Sequence, residues 1–233
     1  MATVRKAFRA AFPRTLPVMA GYLVLGFGFG LLLESKGYGI GWALIMSVSI
    51  YAGAMQYMAV DLLAGGASLI SCALMTLLIN ARHLFYGLSL LDKYKGMGWK
   101  KPALIFQLTD ETYSLVCVTE PPPGVDKGWF YLTISSLNHL YWIVGGMAGA
   151  AAGSLFGLNT AGVSFSMTAL FVVIFTDQWL KNRNKLPAAV GIGVTLVCLL
   201  VFGPDRFIIP AMAGIALALV ALKDKIPAGE AVP

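Results

Sequence analysis

Charge is missing from long, unbroken stretches of this chain: no Asp, Glu, Lys or Arg occurs in 15–33, 37–60, 62–81, 128–176, 186–204 or 207–222. A helix crossing the hydrocarbon layer of a bilayer needs about 20 apolar residues, with ~17–25 tolerated. Five of these gaps can each hold one such helix, although 207–222 is short, and 128–176 can hold two. A weaker eighth segment at 102–118 is interrupted by Asp110 and Glu111. Eight segments leave no room for a soluble domain among 233 residues. Composition agrees: 12% of residues are charged, about half the fraction usual in soluble domains, and mean hydropathy is +0.77. The expected fold is all-α, a polytopic membrane helix bundle of seven to eight spans forming one transmembrane domain over 1–233.

The segments read as 17–33, 42–64, 67–91, 102–118, 129–154, 166–180, 187–203 and 207–222. The first is long and Gly-rich with no cleavage site after it, and reads as a retained helix rather than a signal peptide. Lys and Arg collect in cytoplasmic loops. Arg5, Lys6, Arg9 and Arg14 therefore place the N-terminus inside, and eight spans put Lys181, Arg183, Lys185, Lys223 and Lys225 there too. The formal charge of +6 reads as this loop charge, not as a nucleic-acid footprint. One loop disagrees. Asp92 to Lys101 carries Lys93, Lys95, Lys100 and Lys101, yet the span count places it outside.

Pro121-Pro122-Pro123-Gly124 is the strongest break and separates halves of about 1–120 and 121–226, with a tail at 227–233. An offset of 120 pairs Gly26 with Gly146, Gly37 with Gly157 and Tyr51 with Phe171, either as a repeat of related halves or by chance in a Gly-rich chain. Gly145, Gly149, Gly153 and Gly157 recur every four residues, and Gly21, Gly26, Gly28 and Gly30 offer a similar surface. Small residues at that spacing let helix backbones approach closely, within the chain or against a partner.

An ionisable side chain at membrane depth costs about 2.5–3.5 kcal/mol on insertion scales, so each needs an account. In the second segment Ser49, Gly53 and Gln56 share one helix face. The Gln56 amide both donates and accepts, suiting a zwitterion or an interhelical bond. Asn80 and His83 share a face, with Arg82 projecting about 100° away. Arg82 suits a carboxylate grip, or it snorkels to an interface. His83 is a proton site or a packing histidine. Gln107, Asp110, Glu111 and Ser114 form a polar stripe on the fourth segment. Two adjacent carboxylates repel, so the Asp110/Glu111 pair can carry a proton, hold an ammonium or neutralise Arg82. Ser135, Asn138, His139 and Trp142 form a second polar wall or a helix–helix network. Asp61 and Asp177 read as solvated caps.

Enzyme signatures are missing. The chain has no metal-ligand spacing around Cys72, Cys117 and Cys198, no nucleophile elbow and no phosphate-cradling loop, so no catalytic residue, metal or cofactor is expected. Polar groups inside apolar segments point to a transporter. The alternatives are a permease for another small solute such as methionine, or a non-transporting scaffold subunit.

Ala52-Gly-Ala-Met-Gln-Tyr57, Asn80-Ala-Arg-His83 with Tyr86-Gly87, and Leu108-Thr-Asp-Glu-Thr-Tyr113 are the most distinctive motifs, joined by Gly21-Tyr22, Gly26-Phe-Gly-Phe-Gly30 and Ser166-Met-Thr-Ala-Leu-Phe171. In these motifs the sequence resembles the AzlC family, large subunits of azaleucine-resistance and branched-chain amino acid export systems. The resemblance implies a multi-pass exporter of branched-chain amino acids in the bacterial inner membrane, working with a small AzlD-type hydrophobic subunit. The residues themselves supply a site for such a zwitterion: Arg82 and Asn80 hold the substrate carboxylate, and His83 and Asn138 are further candidates for binding the substrate. Gln56 and the Asp110/Glu111 pair meet its ammonium, and the same acids carry the coupled proton.

Overall fold

A computed structural model describes residues 2–156, 184–204 and 207–222, with a few positions between 162 and 180. The described helices are α1 (Ala2–Ser35), α2 (Ile40–Ser49), α3 (Gly53–Ala64), α4 (Leu69–Ser89), α5 (Lys100–Phe106), α6 (Asp110–Val118), α7 (Lys127–Phe156), α8 (Leu186–Phe202) and α9 (Ile208–Ala221). The chain forms two compact units, Met1–Met167 and Thr168–Pro233. Among the described helices, Thr3–Ser35 and Leu69–Ser89 are long and apolar enough to cross a membrane.

The first unit is organised on α1 and α7, which run parallel. Arg14 lies over the Phe130 ring, Tyr22 meets Trp142 edge-on, and Glu34 lies beside Gly153. Glycine explains the close approach. A Cβ on Gly145 would lie 2.8 Å from the Tyr22 carbonyl oxygen, and one on Gly149 or Gly30 would run into the carbonyl of Phe27 or Gly146. The glycine stripe is thus spent on contact within the chain. At 34 residues α1 is about 50 Å long, well beyond a hydrocarbon layer of about 30 Å. Its basic first turns therefore extend past the apolar part.

The segment expected to span at 42–64 does not run through. It breaks at residues 50–52, where Tyr51 has φ 43°, and its two arms of 10 and 12 residues form a hairpin. Each arm is about 15–18 Å long, half a bilayer core. α2 leaves the Ser35 end of α1 and α3 returns there, as the 3.6 Å Lys36–Asp61 pair shows. The tip lies at the level of Tyr22, whose ring is 6.5 Å from that of Tyr51. Ser49, Gly53 and Gln56 therefore do not share one helix face, because the break lies between them.

The segment 102–118 makes the same manoeuvre from the opposite end. α5 has 7 residues and α6 has 9, with the break at 107–109. The start of α5 is held at the base of α7, where Lys100 Nζ is 4.7 Å from the Trp129 ring centroid. Residues just beyond α6 meet α1 near its N-terminus, Arg14 donating to the Glu120 carbonyl at 3.1 Å. The break moves Gln107 off the stripe formed by Asp110, Glu111 and Ser114. Between the hairpins α4 runs the full depth: its start follows the turn closing the first hairpin, and its end packs on the second, with Tyr86 stacked on Tyr113 at 4.3 Å.

The same contacts place the basic 92–101 loop. Lys93 Nζ donates to the carbonyls of Val116 and Cys117 at 2.6 and 3.1 Å and pairs with Glu120 at 2.9 Å. The basic 92–101 loop thus lies at the same end as Arg14, not the opposite one. With both segments broken, the discordant loop joins the other basic cluster at one end of the unit.

In the second unit α8 and α9 pack on each other across a turn at Gly203 (φ 76°). Most of 166–180, including Phe171 and Asp177, lies outside the described residues, as do Gly157, Lys181, Arg183, Lys223, Lys225 and the 227–233 tail.

Candidate functional site

The two hairpin tips meet the middle of α1 and α7 in a junction of polar side chains. Tyr22 stands at its centre, because the Gly26 and Gly30 contacts bring α1 close enough to α7 to seat its ring against Trp142. The Tyr22 hydroxyl donates to Glu111 Oε2 at 2.7 Å and lies 2.5 Å from Thr109 Oγ1. Thr109 caps α6, its Oγ1 accepting from the Thr112 backbone N–H at 3.3 Å. Thr109 Oγ1 is also within hydrogen-bond distance of Thr112 Oγ1 at 3.0 Å, and Thr112 Oγ1 accepts from Asn138 Nδ2 at 3.0 Å. One chain of hydrogen bonds therefore joins Glu111, Tyr22, Thr109, Thr112 and Asn138 across α1, α6 and α7.

A second network ties the first hairpin to α7. Trp142 Nε1 donates to Gln56 Oε1 at 2.9 Å, and Gln56 Nε2 reaches Ser47 Oγ at 3.5 Å. His139 Nε2 contacts the Ser47 carbonyl at 2.9 Å, where it must donate. Its Nδ1 is then left to accept from Gln107 Nε2 at 3.4 Å, which is the neutral imidazole. Tyr51 stacks on that ring at 3.9 Å.

Two buried polar atoms at the junction make no well-formed hydrogen bond: the Tyr51 hydroxyl and Asn138 Oδ1. The first faces Tyr22, Thr109 and Thr112. A buried donor or acceptor left unpaired costs ~1–3 kcal/mol. α3 and α6 also begin here, so both point the partially positive ends of their dipoles inward. Ala52 offers α3 no side-chain cap, whereas Asp110 and Glu111 occupy the first turn of α6.

Arg82 and Asp110 form a separate pair, Nη1 to Oδ2 at 2.9 Å, with both side chains largely out of solvent. Arg82 Nε, Asp110 Oδ1 and Asn80 Oδ1 are buried there without partners. His83 Nδ1 turns to the Asn80 carbonyl at 3.1 Å, inside its own helix.

The structure thus distributes the sequence-predicted residues over three places. Glu111 and Asn138 share the junction; Gln56 belongs to the adjoining network with Trp142; Arg82, Asp110, Asn80 and His83 form the α4 cluster. The adjacent carboxylates face different partners: Asp110 turns to Arg82 and Glu111 to Tyr22. Sequence reading missed Tyr22, Tyr51, Thr109 and Thr112 as site residues. A tyrosine within an apolar run was the available signal for the first two, and Thr-x-x-Thr at a helix start for the others.

Long apolar helices beside broken ones that gather polar side chains at their breaks define a helical membrane protein. The chain belongs to the AzlC family: that family's sequence profile, described as "AzlC protein", matches residues 17–156. It is 44% identical over 224 residues to the "Branched-chain amino acid transport protein AzlC" of Bacillus subtilis, covering 96% of this chain and 88% of that one. It is 43% identical over 221 residues to an "Uncharacterized membrane protein" of Helicobacter pylori strain J99, covering 95% and 97%. It is also 27% identical over 215 residues to the "Inner membrane protein YgaZ" of Escherichia coli K12, covering 88% and 87%. No solved structure matches the chain.

Proposed function

We propose that this protein exports branched-chain amino acids across the bacterial inner membrane, driven by proton entry and working with a small hydrophobic subunit of the AzlD type. The observation that carries the reading is the Bacillus subtilis relative named as a branched-chain amino acid transport protein, 44% identical over 96% of this chain. The polar junction supports it physically. Substrate sites in transporters lie near mid-membrane where helices are broken, because irregular backbone and half-helix termini can there face a polar ligand. A zwitterion with an apolar side chain matches a junction holding a carboxylate, hydroxyls, an amide and aromatic walls.

The same reading gives an orientation. With the N-terminus cytoplasmic, Arg5, Lys6, Arg9 and Arg14 share a side with the 92–101 lysines, as the positive-inside rule requires. The span count then becomes the expected seven to eight segments less the two that return to their own side.

The test is efflux of leucine from preloaded cells expressing the chain together with its neighbouring small subunit. Expected is leucine efflux above the control strain, inhibited by excess isoleucine or valine and slowed when the proton gradient is collapsed. Efflux equal to the control strain would remove the substrate assignment. Efflux that survives collapse of the gradient would remove the coupling.

A further inference from the structure

The two adjacent acids differ in what holds them. Asp110 has a cation at 2.9 Å, and both members of that pair are withdrawn from solvent. Removing Arg82 would leave Asp110 as a carboxylate at this depth without its cation, which is costly. Glu111 has no cation within salt-bridge distance among the described residues. Its side-chain partner is the neutral hydroxyl of Tyr22 at 2.7 Å, and it is half-buried, so part of it stays open. A carboxylate at this depth without a cation is costly in its charged form. A proton or the ammonium of a bound solute relieves that cost equally well, but not both at once.

Other ionisable groups around Glu111 do not take that role. Tyr22 faces it from α1, Tyr51 from the first hairpin, Arg82 from α4, and Asp110 adjoins it in α6. Arg82 is engaged by Asp110, and α7 brings His139, which is held by Ser47 and Gln107.

Tyr22 fixes how the proton is read. Its oxygen lies between Glu111 and Thr109, at 2.7 and 2.5 Å. With Glu111 ionised, Tyr22 must donate to the carboxylate and can only accept from Thr109. With Glu111 protonated, the carboxyl can donate to Tyr22, whose own hydrogen then turns to Thr109. Polarity along the chain toward Thr112 reverses with it, so the charge state of Glu111 is carried to the tip of the second hairpin without moving a helix.

We infer that Glu111 alone is the carboxylate at which a proton and the substrate's ammonium exclude one another, that Tyr22 is its positioning residue, and that Asp110 serves Arg82 instead. This rests on the transport reading above and assigns the two acids different work.

The experiment is leucine counterflow in membrane vesicles from cells expressing the full chain with its neighbouring subunit, with KM measured over a pH series. In the wild type KM rises about tenfold per pH unit below the midpoint, as competition with one proton requires. Glu111→Gln raises KM and abolishes its pH dependence, while Glu111→Asp restores the dependence and so shows that the site still folds. Tyr22→Phe removes a donor to the charged form and moves the midpoint to higher pH; a purely structural role would lower the rate without moving it. The double variant Arg82→Gln/Asp110→Asn keeps the pH dependence. Persistence of the dependence in Glu111→Gln, its loss in the double variant, or an unmoved midpoint in Tyr22→Phe would each overturn the inference. Absence of leucine counterflow in the wild type would instead overturn the transport reading beneath it.

Discussion

Single atoms decide the packing at the α1–α7 seam. Gly149 faces the Phe27 carbonyl so closely that a methyl group has no place to go. Gly149→Ala should therefore separate two helices or strain both, costing ~1–3 kcal/mol as overpacking does. Gly87→Ala, with open space around the added atom, should leave stability unchanged or slightly improved, since alanine favours the helix. Thermal unfolding of the two variants in detergent, compared with the wild type, checks this contrast. The Trp142 indole poses a similar question. Trp142→Phe keeps most of the ring but deprives buried Gln56 Oε1 of its 2.9 Å donor, at a cost of ~1–3 kcal/mol. The same melts read that loss, and a Gln56→Leu/Trp142→Phe double variant should recover part of it by removing both partners.

At the scale of elements, the second hairpin is held at its base by one lysine. Lys93 closes three carbonyls in and just beyond the last turn of α6 and pairs with Glu120. Hydrogen bonds from Lys93 first, and then from Tyr131, hold the Glu120 carboxyl below the usual carboxylate range. A folded value lowered in this way contributes stability that is fully present above the unfolded value of about 4.3 and is lost as pH falls through the folded one. Hydrogen exchange across 93–101 and 119–126 should therefore quicken at acid pH in the wild type. Glu120→Gln should exchange faster at neutral pH and lose that acid step, and an acid step unchanged in this variant would dismiss Glu120 as its source.

Elements also show where periodicity misleads. Gln107 sits three residues before Asp110, which on a continuous helix places them on one face. Helical spacing holds only while the backbone is helical, and the Gln107–Thr109 break turns Gln107 toward Ser136 and His139 instead. The Ile50–Ala52 break was equally invisible: no proline or glycine occupies it, and Tyr51 adopts φ 43° because stacking on His139 and a buried setting outweigh its backbone preference. Asn138 beside His139 and Trp142, by contrast, was readable on one face, because α7 is continuous there.

For the whole molecule, the opposed hairpins make a prediction that a simple span count contradicts. With Cys72, Cys117 and Cys198 replaced, Lys6→Cys and Lys95→Cys should react with a membrane-impermeant thiol reagent from the same side, and Gly66→Cys from the other. A count that carries 42–64 and 102–118 straight through puts Lys95 opposite Lys6. Labelling of those two positions from opposite sides would break the hairpin description of both segments at once.

The amino-acid sequence by itself determined the solvent of this protein and its kind of element. Charge-free runs of membrane length require helices whose backbones satisfy themselves, and glycines every four residues require a close helix partner. Its motifs carried the family. Only the tertiary structure decided which apolar segments turn back at half depth and which acid keeps a cation. Hydropathy measures how apolar a segment is, not whether its far end finds water or the tip of another hairpin. Asp110 and Glu111 are neighbours with the same chemistry in sequence. They part because α4 brings Arg82 to one and the glycine seam brings Tyr22 to the other.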